Sequence, residues 1–197
     1  LGGLYRFRGL VIATPPRCLC HCASGAILLL WNDEKETMTM SAPKRVLFIC
    51  SGNSCRSQMA EGWTRHLQHR CIEAYSAGIS AYGLNRVAVR VMLEAGVDIS
   101  AYRSKRIQDL GHARFDCVIT VCENADERCP TFPGGPRRLH ARFEDPVALA
   151  QYAASDEEAL EHYRRVRDEI RAFVERLPEL LYGPEAGEEP AGPHRQA

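Results

Sequence analysis

The chain's 197 residues balance 25 lysines and arginines against 25 aspartates and glutamates, so no net charge draws it to nucleic acid or to a membrane surface. With 45% hydrophobic and 25% charged residues, it can bury one compact core. Nine cysteines would suggest disulfides in a secreted chain, but their odd number and the reactive motifs described below point to a reducing cytoplasm.

Residues 1–43 read differently from the rest. Arg6, Arg8 and Arg17, a Pro15-Pro16 break and the cluster Cys18-Leu19-Cys20-His21-Cys22 precede an apolar run, 26–31, that is too short to span a bilayer. A basic start before an apolar run superficially suggests a signal peptide, yet the proline pair, the cysteines and the acidic Asp33-Glu34-Lys35-Glu36 fit one poorly. The Cys/His cluster lacks a second arm for a metal site. The segment is expected to be a disordered extension, or to lie ahead of a true start at Met38 or Met40.

The run Val46-Leu47-Phe48-Ile49-Cys50-Ser51-Gly52-Asn53-Ser54-Cys55-Arg56-Ser57 follows. Four apolar residues predict a buried strand over 45–50, and Met59, Trp63 and Leu67 mark one face of a helix over 57–70. The loop between them sits at a helix N-terminus, where free amides and the helix dipole favour a tetrahedral oxyanion. Gly52 lets the backbone curl around such an anion, and Arg56 adds a planar fork of donors. Ser51, Gly52, Asn53, Ser54, Cys55 and Arg56 are the candidate anion-binding residues. The same field should depress the thiol of Cys50, with the Ser57 hydroxyl placed to donate to its thiolate.

Further on, the pattern predicts a strand at 72–76, a helix at 84–95 and a strand at 116–121. A segment with Cys122 and Cys129 (122–130) and a loop with Arg142-Phe143-Glu144-Asp145-Pro146 (140–147) come next. On spacing alone the two cysteines are open to a reading as unrelated structural thiols or half a zinc site. Ser155-x-x-Glu158 is a capping box for a helix over 156–177, with Tyr163, Val166, Ile170, Phe173 and Leu177 on one face. Pro178 is expected to end it, leaving 178–197 as a disordered tail. Alternating elements imply one α/β domain over 44–177, a doubly wound parallel sheet with helices on both faces and a site at the C-terminal strand ends.

The Cys-x5-Arg-Ser loop after a strand resembles the phosphate-binding loop of the low-molecular-weight protein tyrosine phosphatases. Cys50 to Trp63 as a whole resembles the thioredoxin-coupled arsenate reductases built on that fold. Val121 to Pro130 resembles the redox segment of those reductases, in which two cysteines flank a short mobile helix. Cys122 and Cys129 are seven positions apart, so in an intact helix they share a face but lie too far apart to bond. Forming their disulfide requires the helix to unwind, which makes the segment a switch.

The resemblance implies reduction of arsenate to arsenite, an arsenic detoxification, by a relay of thiols. Cys50 is the nucleophile, Asp145 the general acid, and Cys122 then Cys129 form the disulfide that thioredoxin reduces, with no metal or organic cofactor. A monomer is expected. Asn53 orders the loop in that family, and Glu61 and Ser76 help bind a potassium ion that tunes it. The chain departs from the pattern at Lys105, where the family has an acidic residue, so the ammonium is expected to stand in for the cation and potassium to matter little. Cys55 is read as a loop residue outside the relay, and Cys71 and Cys117 as buried or half-buried small residues. Two other functions fit part of the pattern. A tyrosine phosphatase would leave the cysteine pair idle and would want an aromatic wall, for which the loop's neighbourhood offers no clear candidate. A non-catalytic protein could use the thiols to bind arsenite or sense oxidants.

Overall fold

The computed structural model describes residues 42–183, together with the backbone of 5–7 and 10–12. The chain divides into two units, Leu1–Met40 and Ser41–Ala197. In the first, β1 (Tyr5–Phe7) and β2 (Leu10–Ile12) pair antiparallel. Aromatic and β-branched residues in these two short strands favour extended backbone. The Cys18, Cys20 and Cys22 cluster lies outside the described residues.

In the second unit, β3 (Lys44–Cys50), β4 (Ile72–Gly78), β5 (Cys117–Thr120) and β6 (Arg137–His140) form a parallel sheet in the order β4-β3-β5-β6. Val46 to Ile49 are wholly buried because β3 has a strand on each side, which is why its sequence reads as an unbroken apolar run. The register sets Cys50 beside Gly78 and Ile49 beside Thr120. After β3 the chain crosses through α1 (Arg56–Leu67) to β4 on one side, and after β5 it passes α3 (Glu123–Glu127) to β6 on the other. Connections that leave in opposite directions open a crevice at the C-terminal strand ends, as a doubly wound sheet requires. Right-handed crossovers in opposite directions put helices on both faces.

Sequence patterning does not predict β6. Arg137, Arg138 and His140 flank a single apolar Leu139, the charged composition of an edge strand whose pairing comes from β5 and not from its own core face. Two short elements are likewise unpredicted, α4 (Pro146–Ala150) and a 3-10 turn at Ile107–Leu110. α2 (Arg86–Glu94) is capped by Asn85, whose side-chain oxygen accepts from the amides of Val87 and Ala88.

The last helix, α5 (Asp156–Tyr182), begins with the expected Ser155 cap but does not end at Pro178. Pro178 cannot donate to the Val174 carbonyl, and the Gln68 side chain donates to that carbonyl instead, at 3.3 Å. Beyond the proline, Leu181 is buried and the Tyr182 hydroxyl donates to the Cys71 carbonyl at 2.6 Å. Lys44 Nζ donates to the Leu181 carbonyl at 2.8 Å. These tertiary contacts hold the final turn, so residues 178–182 are helical and not part of a tail; 184–197 lie outside the described residues. Val174, absent from the predicted face, is fully buried, while Phe173 is only partly so and packs edge-on against Phe143. No helix among the described residues is long and apolar enough to cross a membrane.

Candidate active site

The loop from Cys50 to Arg56 lies where β3 meets α1, at the crevice of the sheet. Most of its carbonyls are tied to neighbouring groups. Those of Cys50, Ser51, Gly52 and Ser54 accept from the amides of Ile79, Ser80, Tyr82 and Asn85, and that of Asn53 accepts from the Gln58 side chain. With these carbonyls already bonded, the loop amides are left available to bind an anion. The segment 79–85 is thus an outer brace that sequence reading misses, although Gly78 marks it. A Cβ at Gly78 would lie 2.6 Å from the Asn53 amide nitrogen and 2.2 Å from the Ser80 carbonyl oxygen, so glycine permits strand and loop to touch.

Asn53 is the one non-glycine among the described residues with positive φ, at 45°. Asparagine tolerates this left-handed conformation, and here the surroundings also fix it. Its Nδ2 donates to Ser57 Oγ and Ser76 Oγ, both at 2.9 Å, while its Oδ1 accepts from the Lys105 amide at 2.8 Å and from Gln58 Nε2 at 3.0 Å. Every polar position of this fully buried side chain is satisfied. Because Ser57 Oγ accepts from Asn53, its own hydrogen is left for the Cys50 sulfur 2.9 Å away. The Asn53 amide also donates to that sulfur, at 3.2 Å.

Arg56 and Asp145, 89 positions apart, are brought together by the fold. Guanidinium and carboxylate stand 2.9 Å apart, and the same guanidinium donates to the Phe143 carbonyl at 3.1 Å. Asp145 also caps α4 by accepting from the Val147 amide, with Pro146 in the first turn. Glu144 turns away to Arg165, 2.6 Å off, which separates the two neighbouring acids.

Cys122 is buried at the N-terminus of α3, with its sulfur 3.4 Å from the Ser51 hydroxyl of the loop. It lines a cavity of about 290 Å³ together with Arg56, Arg142, Phe143 and Asp145. Cys129 lies just beyond the other end of α3, half-buried. Burial pushes its thiol pKa up, partly offset by the Arg138 guanidinium. Burial also raises the thiols of Cys55 and Cys117, the latter to about 11. Cys117 is a core residue and Cys71 is half-buried, as expected, while Cys55, expected only as a loop residue, is also buried in the core.

Glu61, Ser76, Asn53 and Lys105 also converge. The Ser76 hydroxyl donates to Glu61 Oε2 at 2.5 Å, and Lys105 Nζ stands 3.6 Å from the same oxygen. Arg65, one turn further along α1, pairs with the other oxygen at 2.7 Å, a partner not anticipated from sequence. Two cations already match this buried carboxylate and the Asn53 oxygen is fully used, so the donor set does not suit an added potassium ion. Tyr82, 74% exposed, lies so close over Gly52 that a Cβ there would meet its ring at 2.3 Å.

Residues 45–182 match the family model described as low molecular weight phosphotyrosine protein phosphatase. Over 138 residues the chain is 46% identical to an arsenate reductase of Bacillus licheniformis, covering 69% of this chain and 96% of that one. It is similar to a solved arsenate reductase in an oxidised state, with 30% identity and a TM-score of 0.59 over 70% of this chain and 98% of the other. A thioredoxin-dependent arsenate reductase of Corynebacterium glutamicum matches at 26% identity and a TM-score of 0.55, over 73% and 64% of the two chains.

Proposed function

This chain belongs to the low molecular weight phosphotyrosine protein phosphatase family, and we propose that within it the protein reduces arsenate to arsenite with electrons from thioredoxin. The observation that carries this reading is the second thiol at the anion loop. Cys122 reaches within 3.4 Å of Ser51, with Cys129 behind it across one short helix. Ester hydrolysis has no use for these thiols. Arsenate shares the shape and charge of phosphate but can accept two electrons from thiols, which phosphate cannot.

Arsenate enters the amide cradle and competes with Asp145 for the Arg56 fork. Cys50, held by the Ser57 hydroxyl and the Asn53 amide, attacks arsenic. Displaced from Arg56, Asp145 takes up the proton that the Cys50 thiol gives up on becoming a thiolate and passes it to the departing hydroxide, which leaves as water. The product is a sulfur–arsenic adduct with arsenic still pentavalent. Cys122 then attacks the Cys50 sulfur. A disulfide forms, the sulfur–arsenic bond breaks, and its electron pair stays on arsenic, which leaves as arsenite. Cys129 attacks Cys122 in turn, Cys50 departs as thiolate, and thioredoxin reduces the Cys122–Cys129 disulfide. Every electron travels through thiols, which requires a reducing compartment and no metal or organic cofactor.

Mapping the disulfides by mass spectrometry after one equivalent of arsenate tests this order. The parent should carry Cys122–Cys129, and a Cys129→Ser variant should stop at Cys50–Cys122. A specific observation supports a second, minor activity: Tyr82 gives the loop an aromatic edge against which a phenyl phosphate can stack, so slow aryl phosphate hydrolysis is expected alongside reduction.

A further inference from the structure

α3 must come apart for Cys122 and Cys129 to bond, and one of its side chains is tied to the sheet. Asp126 Oδ1 accepts from the Thr120 hydroxyl at 2.7 Å. That hydroxyl lies 2.9 Å from His140 Nδ1, which itself stands 3.7 Å from Asp126 Oδ1. With the Thr120 hydrogen on the carboxylate, a longer contact from the same hydroxyl reaching the Leu139 carbonyl at 3.4 Å, the threonine oxygen can accept from His140 in the tautomer that carries its proton on Nδ1. The C-terminal residues of β5 and β6 thus hold the redox helix through one carboxylate.

We propose that Thr120 and His140 form a latch on α3 through Asp126, and that this latch sets how readily the Cys122–Cys129 disulfide forms. The inference rests on the thiol relay described above. Cys122 precedes α3 and Cys129 follows its C-terminal cap, Arg128. Seven residues of helix rise about 10 Å, while a disulfide joins Cα atoms no more than about 7 Å apart. Asp126 lies between the two cysteines, so closing the gap pulls it away from Thr120. The other anchors of α3 differ in kind. Ala125 is buried and apolar, and the Arg142–Glu123 pair is exposed on both sides, a type of contact that contributes little. Thr120 is buried, which makes its bond to a carboxylate the stronger tie.

The latch is broken in the disulfide form and made in the dithiol form, so it biases the pair toward the dithiol. It keeps Cys122 poised at the anion loop until arsenate chemistry drives the exchange, and it raises the oxidising strength of the disulfide presented to thioredoxin.

The test is the equilibrium between this dithiol and its disulfide, measured on the full chain with Cys50→Ser throughout to isolate the pair. Oxidised dithiothreitol takes two electrons and two protons from the cysteines and becomes reduced dithiothreitol. The 122–129 disulfide is quantified by mass spectrometry at defined ratios of the two reagents. Thr120→Val and Asp126→Ala should each shift the equilibrium toward the disulfide by about tenfold, the factor expected for a hydrogen bond to a charged group. His140→Gln should shift it less, because the Thr120–Asp126 bond remains. If the buried Thr120→Val protein does not fold, the more exposed Asp126 and His140 variants carry the test. An unchanged equilibrium in Asp126→Ala, or a shift toward the dithiol, overturns the latch and leaves the relay standing. A parent in which no 122–129 disulfide forms at any ratio overturns the relay and the latch together.

Discussion

Arg56, at the end of the anion loop, and Asp145 are joined by a 2.9 Å ion pair. The pair makes the arginine do two things in turn. In the proposed reaction it holds the acid in place before substrate arrives, then leaves it for the oxyanion, so that Asp145 can protonate the departing oxygen. Asp145→Asn keeps the shape and the α4 cap while removing the proton. The rate constant for arsenate reduction should fall about 10²–10⁴-fold, the range of general acid catalysis. Glu144→Gln should leave it nearly unchanged, because Glu144 is turned to Arg165.

Asn53 should prove a stability residue as much as a site residue. Asn53→Ala removes two donors and two acceptors from a fully buried place and puts alanine at a φ of 45°. A loss of about 2–4 kcal/mol in denaturant unfolding is expected, in line with other disrupted buried networks. Asn53→Gly, which relieves the backbone but not the hydrogen bonds, should recover only a small part of it.

Potassium should not activate the enzyme. Lys105 and Arg65 already match the buried Glu61 carboxylate, so steady-state reduction should be equal in potassium and sodium chloride at one ionic strength. Lys105→Ala removes one of those charges, and a potassium response should then appear.

Exchange onto Cys129 should speed up with pH. Its thiol pKa is raised by burial, so near neutrality it is protonated more than an ordinary thiol, and only the thiolate attacks. Below that raised pKa the single-turnover rate of forming Cys122–Cys129 should climb about tenfold per pH unit, levelling only above the ordinary thiol range. Arg138 works against the burial, so Arg138→Ala should slow the step at a fixed pH and move the plateau higher still.

Much of the site was legible because its chemistry is local in sequence. Cys50 through Ser57 announce a strand, an anion loop and a helix in one continuous run, and the apolar stretches of β3 and β5 announce a parallel sheet. What escaped was set by partners distant in the chain. β6 is a strand only because β5 pairs with it, and its own residues are charged. α5 passes Pro178 because Gln68 takes up the stranded Val174 carbonyl and because Leu181 and Tyr182 have places to pack. The brace at 79–85, the Tyr82 ring over Gly52 and the Thr120–Asp126–His140 tie are contacts between side chains or loops that no periodicity encodes. Lys105 shows the intermediate case. The sequence raised the substitution, and the 3.6 Å approach to Glu61 gives it a physical meaning.

The relay is tested most directly by counting arsenite. Purified parent and Cys129→Ser proteins are supplied with arsenate, thioredoxin, thioredoxin reductase and NADPH, and arsenite is measured per mole of protein. The parent should release many equivalents and the variant at most one, since its oxidising equivalent is trapped in Cys50–Cys122. Sustained turnover by the variant would contradict the relay. So would a parent that shows no arsenate-dependent NADPH consumption while still hydrolysing para-nitrophenyl phosphate, a result that would make the protein a phosphatase.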